Sequence, residues 1–147
     1  MIKRSTIQLL RIHFSFFLMP VYWFALSQVV RPDITRALVI FLIIHILVYP
    51  SSNGFNSYMD RDESSIGGVK NPLPPTRQLL WVSLIMDVLA LLSGFFISTI
   101  FVGATALYIL ASRCYSARSV RLKKYPVAGY LTVIVCQGAV IFFMVYH

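Results

Sequence analysis

The chain has 147 residues, of which 58% are hydrophobic and 12% charged, and its mean hydropathy is +0.76. Soluble domains carry about 45–50% apolar and about 25% charged residues, so this composition excludes an ordinary soluble domain, and equally a disordered or collagen-like chain. The formal charge of +8, from 13 basic against 5 acidic residues, makes the first question where the positive charges sit relative to a membrane.

A helix that crosses a bilayer needs about 20 apolar residues. Five candidate spans follow in chain order: His13–Val30, interrupted by Pro20; Ala37–Phe55, with Pro50 near its end; Leu79–Phe96; Ser98–Cys114, which is short and lies so close to the third that the two form a tight hairpin; and Val127–Tyr146. The expected fold is all-α: a polytopic membrane protein of five transmembrane helices, forming a single transmembrane domain over residues 1–147. The first apolar run is too long for the core of a signal peptide and no small-residue cleavage site follows it, so it reads as a retained helix.

Eleven of the basic residues fall at the N-terminus, in the second-to-third loop and in the fourth-to-fifth loop, whereas only Arg31 and Arg36 occupy the first-to-second loop. The positive-inside rule therefore places the N-terminus and both long loops in the cytoplasm and the C-terminus on the opposite side. No nucleic-acid reading module accompanies the charge. Cys114 and Cys136 belong to no metal or redox pattern and read as small packing residues.

Chemistry concentrates in the two cytoplasmic loops. The first contains Asp60, Asp62 and Glu63, three of the five acids. If the second helix continues beyond its apolar part, Tyr49, Asn53, Asn56 and Asp60 share one face, with Ser64 as the next position on it. A stripe of amide and carboxylate oxygens suits Mg²⁺, which commonly bridges one or two carboxylates to substrate phosphates; a solvated loop with balancing charges is the plainer reading. Gly67-Gly68 and the Pro72–Pro75 run stop any helix and shape a fixed loop. The second loop carries Arg113, Arg118, Arg121, Lys123 and Lys124 with no acid. Such a cluster either anchors the chain at anionic lipid heads or binds phosphate, with the Tyr115 phenol placed to donate to a phosphate oxygen. Because both loops lie on one side, a metal site and a phosphate site can grip one diphosphate between them.

These residues resemble the UbiA family of intramembrane prenyltransferases. Asn56-Ser57-Tyr58-Met59-Asp60-Arg61-Asp62 is similar to the family's first aspartate-rich motif, N-D-x-x-D-x-x-x-D. Lys70-Asn71-Pro72-Leu73 resembles the basic-x-Pro-Leu segment after it. Tyr115-Ser116, followed by Arg121-Leu122-Lys123, resembles the Tyr-Ser-x-x-x-x-Arg-Leu-Lys loop. The resemblance covers essentially the whole chain, as the N-terminal half of a UbiA-type helical bundle. It implies Mg²⁺-dependent transfer of a prenyl group from a prenyl diphosphate to a hydrophobic, often aromatic, acceptor, the chemistry of quinone or lipid biosynthesis. It also implies Asn56, Asp60 and Asp62 as metal residues, and Asn56, Tyr115, Arg121, Lys123 and Lys124 as diphosphate residues. Asp60, Arg121 and Lys123 would be the catalytic set.

The chain departs from the pattern at Ser57 and Ser64, where the motif has aspartates; Glu63 is the neighbouring substitute for the second. With only five acids, a second aspartate-rich motif is not present. The resemblance thus implies an incomplete site, in a fragment or in a chain that needs a second chain as partner.

Other residues carry expectations of their own. Phe16, Tyr22 and Tyr49 are candidate rings for stabilising an allyl cation. Asp87, a carboxyl in an apolar helix, is a functional candidate by its cost alone. With His45 it defines the alternative reading, a small non-catalytic subunit or transporter. His45 is otherwise expected in a helix-to-helix hydrogen bond, and His13 at the interface. Gly94, Gly103 and Gly138 are expected at close helix contacts.

Overall fold

The computed structural model describes residues 2–61 and 63–147. Five helical rods succeed one another: α1 (Arg4–Ser27), α2 (Ile34–Asp60), α3 (Arg77–Gly94), α4 (Thr99–Ser116) and α5 (Pro126–Tyr146). Among the described residues, four helices are long and apolar enough to cross a membrane, namely α1, α2, α3 and α5. The fourth expected span exists as the helix α4 but does not belong to that set. Its last turns carry Ser112, Arg113 and Ser116, polar side chains that turn toward α2.

The rods depart from regular α-helix near Pro20 and Pro50, and also at Arg11 and over Ile134–Val140 of α5. In α1 the helix breaks at Arg11, whose backbone is left-handed (φ 48°), and tightens to a 3₁₀ turn over Phe16–Leu18 before restarting at Met19-Pro20. In α2 a π-helical stretch, Ile43–Val48, immediately precedes Pro50. Proline has no N–H and its ring collides with the carbonyl four residues earlier; a wider turn makes room for it. The Asp33 carboxylate caps α2 by accepting from the Arg36 N–H at 3.0 Å. Ser98 Oγ does the same for α4 at the Phe101 N–H, 3.0 Å, closing the expected α3–α4 hairpin.

The main core runs through the middle of the bundle and includes Tyr22, Ile44, Tyr49, Phe101, Tyr108 and Ile141. His45 is wholly buried there, stacked on Phe41 with ring centres 4.2 Å apart. Its Nδ1 lies 3.1 Å from the Phe41 carbonyl, within its own helix. The expected helix-to-helix bond is therefore replaced by one that satisfies a carbonyl loosened by the π turn. Of the three glycines expected at helix contacts, only Gly94 is at one: a Cβ there would come within 3.0 Å of Val102. Gly103 and Gly138 face open space. Close approach occurs at Gly54 instead, where α2 meets α1 and α3.

Between α2 and α3 the chain makes a tight turn. Ile66 and Val69 exchange backbone bonds of 2.9 and 2.8 Å across Gly67 and Gly68, at φ +49° and +84°. This two-residue turn requires positive φ twice, hence the glycine pair. Gln8 of α1 pins the following segment through Asn71 and Leu73. Gln78 at the start of α3 accepts from the Lys3 N–H and the Thr6 hydroxyl. The starts of α1 and α3 and the end of α2 therefore share one end of the bundle. The turn between α4 and α5 lies at that same end, since its Lys123 reaches Asn56 and Asp60.

Replacing Gly54 by leucine tests the packing. A Cβ at Gly54 would lie 2.6 Å from Ser83 Oγ and 3.0 Å from Leu10. Gly54→Leu should lower stability by about 1–3 kcal/mol, the usual range for overpacking, seen as an earlier thermal transition in detergent.

Candidate functional site

The site is built where α2 ends. The helix continues past its apolar part as far as Asp60 and stops there, with Arg61 left-handed (φ 54°) after it. Ser64 is consequently not on the helical face; it and Glu63 lie exposed in the loop. Asp62 lies outside the described residues. Arg118 closes the last turn of α2: its Nε and Nη2 donate to the Met59 carbonyl at 3.2 and 3.1 Å. A cation at a helix C-terminus satisfies orphan carbonyls and complements the helix dipole. Arg118 thus caps the backbone of α2.

Asn56 and Asp60, one helical turn apart, meet the 3₁₀ turn Leu122–Lys124. Lys123 Nζ donates to Asn56 Oδ1 at 2.8 Å and forms an ion pair with the Asp60 carboxylate. Arg121, left-handed at φ 47°, places its guanidinium 3.5 Å from Asp60 Oδ1. The Lys123 side chain is 17% exposed and that of Asp60 13%, whereas Arg121 is 50% exposed. Ser116 Oγ donates to Asn56 Oδ1 at 2.8 Å, tying α4 to the same oxygen. Asp60, Arg121, Lys123 and Lys124 line an open hollow of about 470 Å³.

Beside it lies a second cleft of about 160 Å³. Asn56 and Tyr115 line it, with Asn53, Tyr108, Phe14 and Gln137 around them. Tyr115 sits with its ring 5.9 Å from Lys123 Nζ. Arg11 reaches the cleft from α1 and donates to Asn53 Oδ1 at 3.3 Å.

The aromatic candidates lie outside this cleft. Phe16, Tyr22 and Tyr49 do not line this cleft; Phe14, Tyr108 and Tyr115 do. Tyr22 spends its hydroxyl on the Ala37 carbonyl at 2.7 Å. Tyr49 lies deeper than Asn53, with the Tyr108 ring 6.0 Å from its own. Tyr108 and Arg11 were missed because nothing local marks them; each belongs to a helix whose rotation the sequence leaves free.

Asp87 was isolated in the sequence but is not isolated in the fold. Its carboxylate pairs with Arg113 of α4 and accepts from Ser51 of α2, and it lines neither hollow. The proton-pathway role expected of it under the transporter reading finds no support in that arrangement.

The donors at this site are those a magnesium ion uses. Among the described residues no group of three or more His, Cys, Asp or Glu side chains gathers. What the site offers is oxygen: Asp60 Oδ1 is buried and accepts no hydrogen bond, and Asn56 Oδ1 is joined to the other carboxylate oxygen through Lys123. Mg²⁺ keeps several waters and is often bound by one or two carboxylates plus phosphates. A buried carboxylate oxygen held only by the 3.5 Å ion pair with Arg121, beside a hollow lined by cations, fits that habit.

Residues 15–147 match the family model described as "UbiA prenyltransferase family". The match covers most of the chain, and the chain belongs to this family. The family is membrane-embedded and implies prenyltransferase activity in general, in keeping with the apolar helices described above. Comparisons with curated proteins and with solved structures find no match.

Removing the cap tests the role given to Arg118. In Arg118→Ala, amide hydrogens in the last turn of α2, residues 57–61, should exchange about two- to fivefold faster, matching the 0.3–1 kcal/mol of a helix-end charge. Exchange elsewhere in α2 should not change.

Proposed function

We propose that this chain provides the diphosphate-holding part of a Mg²⁺-dependent prenyl-transfer site, taking a prenyl diphosphate as donor and a hydrophobic acceptor. The observation that carries the reading is the single lysine ammonium, Lys123, held between Asn56 and Asp60 of another helix at the edge of an open cationic hollow. The reading has α4 as a fifth crossing, because it runs from the end of α3 back to the site end of the bundle. Eighteen residues at 1.5 Å each give about 27 Å, close to a bilayer core. The basic residues place that end in the cytoplasm.

In this mechanism Asn56 and Asp60 hold the magnesium ion, which when bound neutralises charge on the diphosphate oxygens. Lys123 and Arg121 take the other phosphate oxygens, and Lys124 and the Tyr115 hydroxyl add a cation and a donor at the rim. As the bond between the allylic carbon and the diphosphate oxygen breaks, negative charge gathers on the leaving group. Cations already held at the site stabilise it there. The cleft lined by Phe14, Tyr108 and Tyr115 receives the allylic carbon and the acceptor and keeps water from them.

Binding of pyrophosphate with Mg²⁺ to the purified chain, followed by calorimetry, tests this directly. Asp60→Asn and Lys123→Ala should each weaken binding by about 30-fold or more, the effect of truncating a desolvated charge pair. Arg121→Ala, at a half-exposed position, should cost only about two- to fivefold. Equal affinity in wild type and in Asp60→Asn and Lys123→Ala rejects the site.

A further inference from the structure

One charged cluster is left unused by this chemistry. Asp87 of α3, 7% exposed, and Ser51 of α2, fully buried, meet Arg113 of α4. Arg113 Nη2 pairs with Asp87 and donates to Ser51 Oγ at 2.8 Å. The Ser51 hydroxyl donates to the other Asp87 oxygen. The guanidinium also lies over the Phe55 ring, 4.1 Å from its centre. One side chain thus joins three helices, while its Nε and Nη1 make no hydrogen bond among the described residues.

Its place in the fold is specific. Phe55 immediately precedes Asn56, and Arg113 is one helical turn before Ser116, the residue that donates to Asn56. At the level of the ion pair Ser52 Oγ and Ser112 Oγ lie 2.6 Å apart. Polar rungs therefore run along the α2–α4 seam from the ion pair to Asn56 and end at Lys123. Apolar packing is non-directional and leaves two helices free to slide or turn by small amounts. A charge pair in a low-dielectric interior is directional. Buried ion pairs are weak sources of stability, and setting register is their best-attested role.

We propose that Asp87 and Arg113 are positioning residues for the diphosphate site: they fix the register of α4 against α2, so that Ser116 and Lys123 meet Asn56 and Asp60. The inference rests on the diphosphate reading above and adds residues that touch neither substrate nor metal. It also gives Asp87, a carboxylate placed among apolar residues, a reason to be charged.

The test uses the full chain in detergent, with Mg²⁺ and inorganic pyrophosphate as probe and thermal melting in parallel. Asp87→Leu with Arg113→Met replaces the pair by apolar side chains, an exchange that often preserves or raises stability. This double variant should melt no earlier than wild type yet bind pyrophosphate about tenfold more weakly, the consequence of a misplaced site. Arg113→Lys keeps a cation opposite Asp87 but loses the fork stacked on Phe55, so its binding should fall between wild type and the double variant. Wild-type binding in a stable double variant overturns the proposal and leaves the diphosphate reading intact. If the double variant melts early, Asp87→Asn, which removes the charge and keeps the shape, is measured well below its own melting transition: undiminished pyrophosphate binding overturns the proposal, and weakened binding supports it. Failure of the wild-type chain to bind pyrophosphate overturns both.

Discussion

The structure turns on one cation shared by two oxygens. Lys123 leaves a short turn between α4 and α5 and inserts its ammonium between an amide and a carboxylate at the end of α2. Asn56 and Asp60 are a turn apart on one helix, so a single cation can engage both only if that helix remains intact up to Asp60. The continuity of α2, the arginine cap on its last turn and the seam joining it to α4 are each conditions for that contact.

The constraint explains features that local rules would not favour. A helix of 27 residues that carries a proline and a largely polar last third has little intrinsic reason to persist. It persists because the π turn absorbs Pro50, because Arg118 occupies the terminal carbonyls, and because Ser51, Ser52 and Asn56 each find a partner on α4. Backbone strain gathers at the same end: Arg61 and Arg121 are both left-handed. A non-glycine residue in that conformation costs about 1–2 kcal/mol, and strain of this kind collects where surroundings over-determine the geometry.

Much of this was legible in the residues, for reasons that can be named. Long apolar runs announce helices whatever their neighbours are, so the five rods are found in the expected order with shifted ends. The spacing of Asn56 and Asp60 predicts a shared face because it needs only a regular helix. The end of that helix was less legible. Arg61 carries no helix-breaking chemistry, and it takes a distant residue, Arg118, to close the last turn, so Ser64 was placed on a face that does not reach it. The partnership of Asp87 and Arg113 was illegible for the same reason. Each looked solitary on its own helix, and only the rotation of α4 about its axis brings them together. Which rings reach the cleft was not legible: Tyr49 shares a face with Asn53, yet Tyr108 of α4, 6.0 Å from it, is the ring that lines the cleft.

The contact between Asp60 and Lys123 is open to a direct chemical test. A zero-length carbodiimide joins a carboxylate to an amine only when the two touch, and peptide mass spectrometry of the folded, detergent-solubilised chain identifies the joined residues. The account predicts an Asp60–Lys123 isopeptide bond whose yield falls when Mg²⁺ and pyrophosphate are present. A folded chain in which Lys123 joins a different carboxylate, or none, would contradict it.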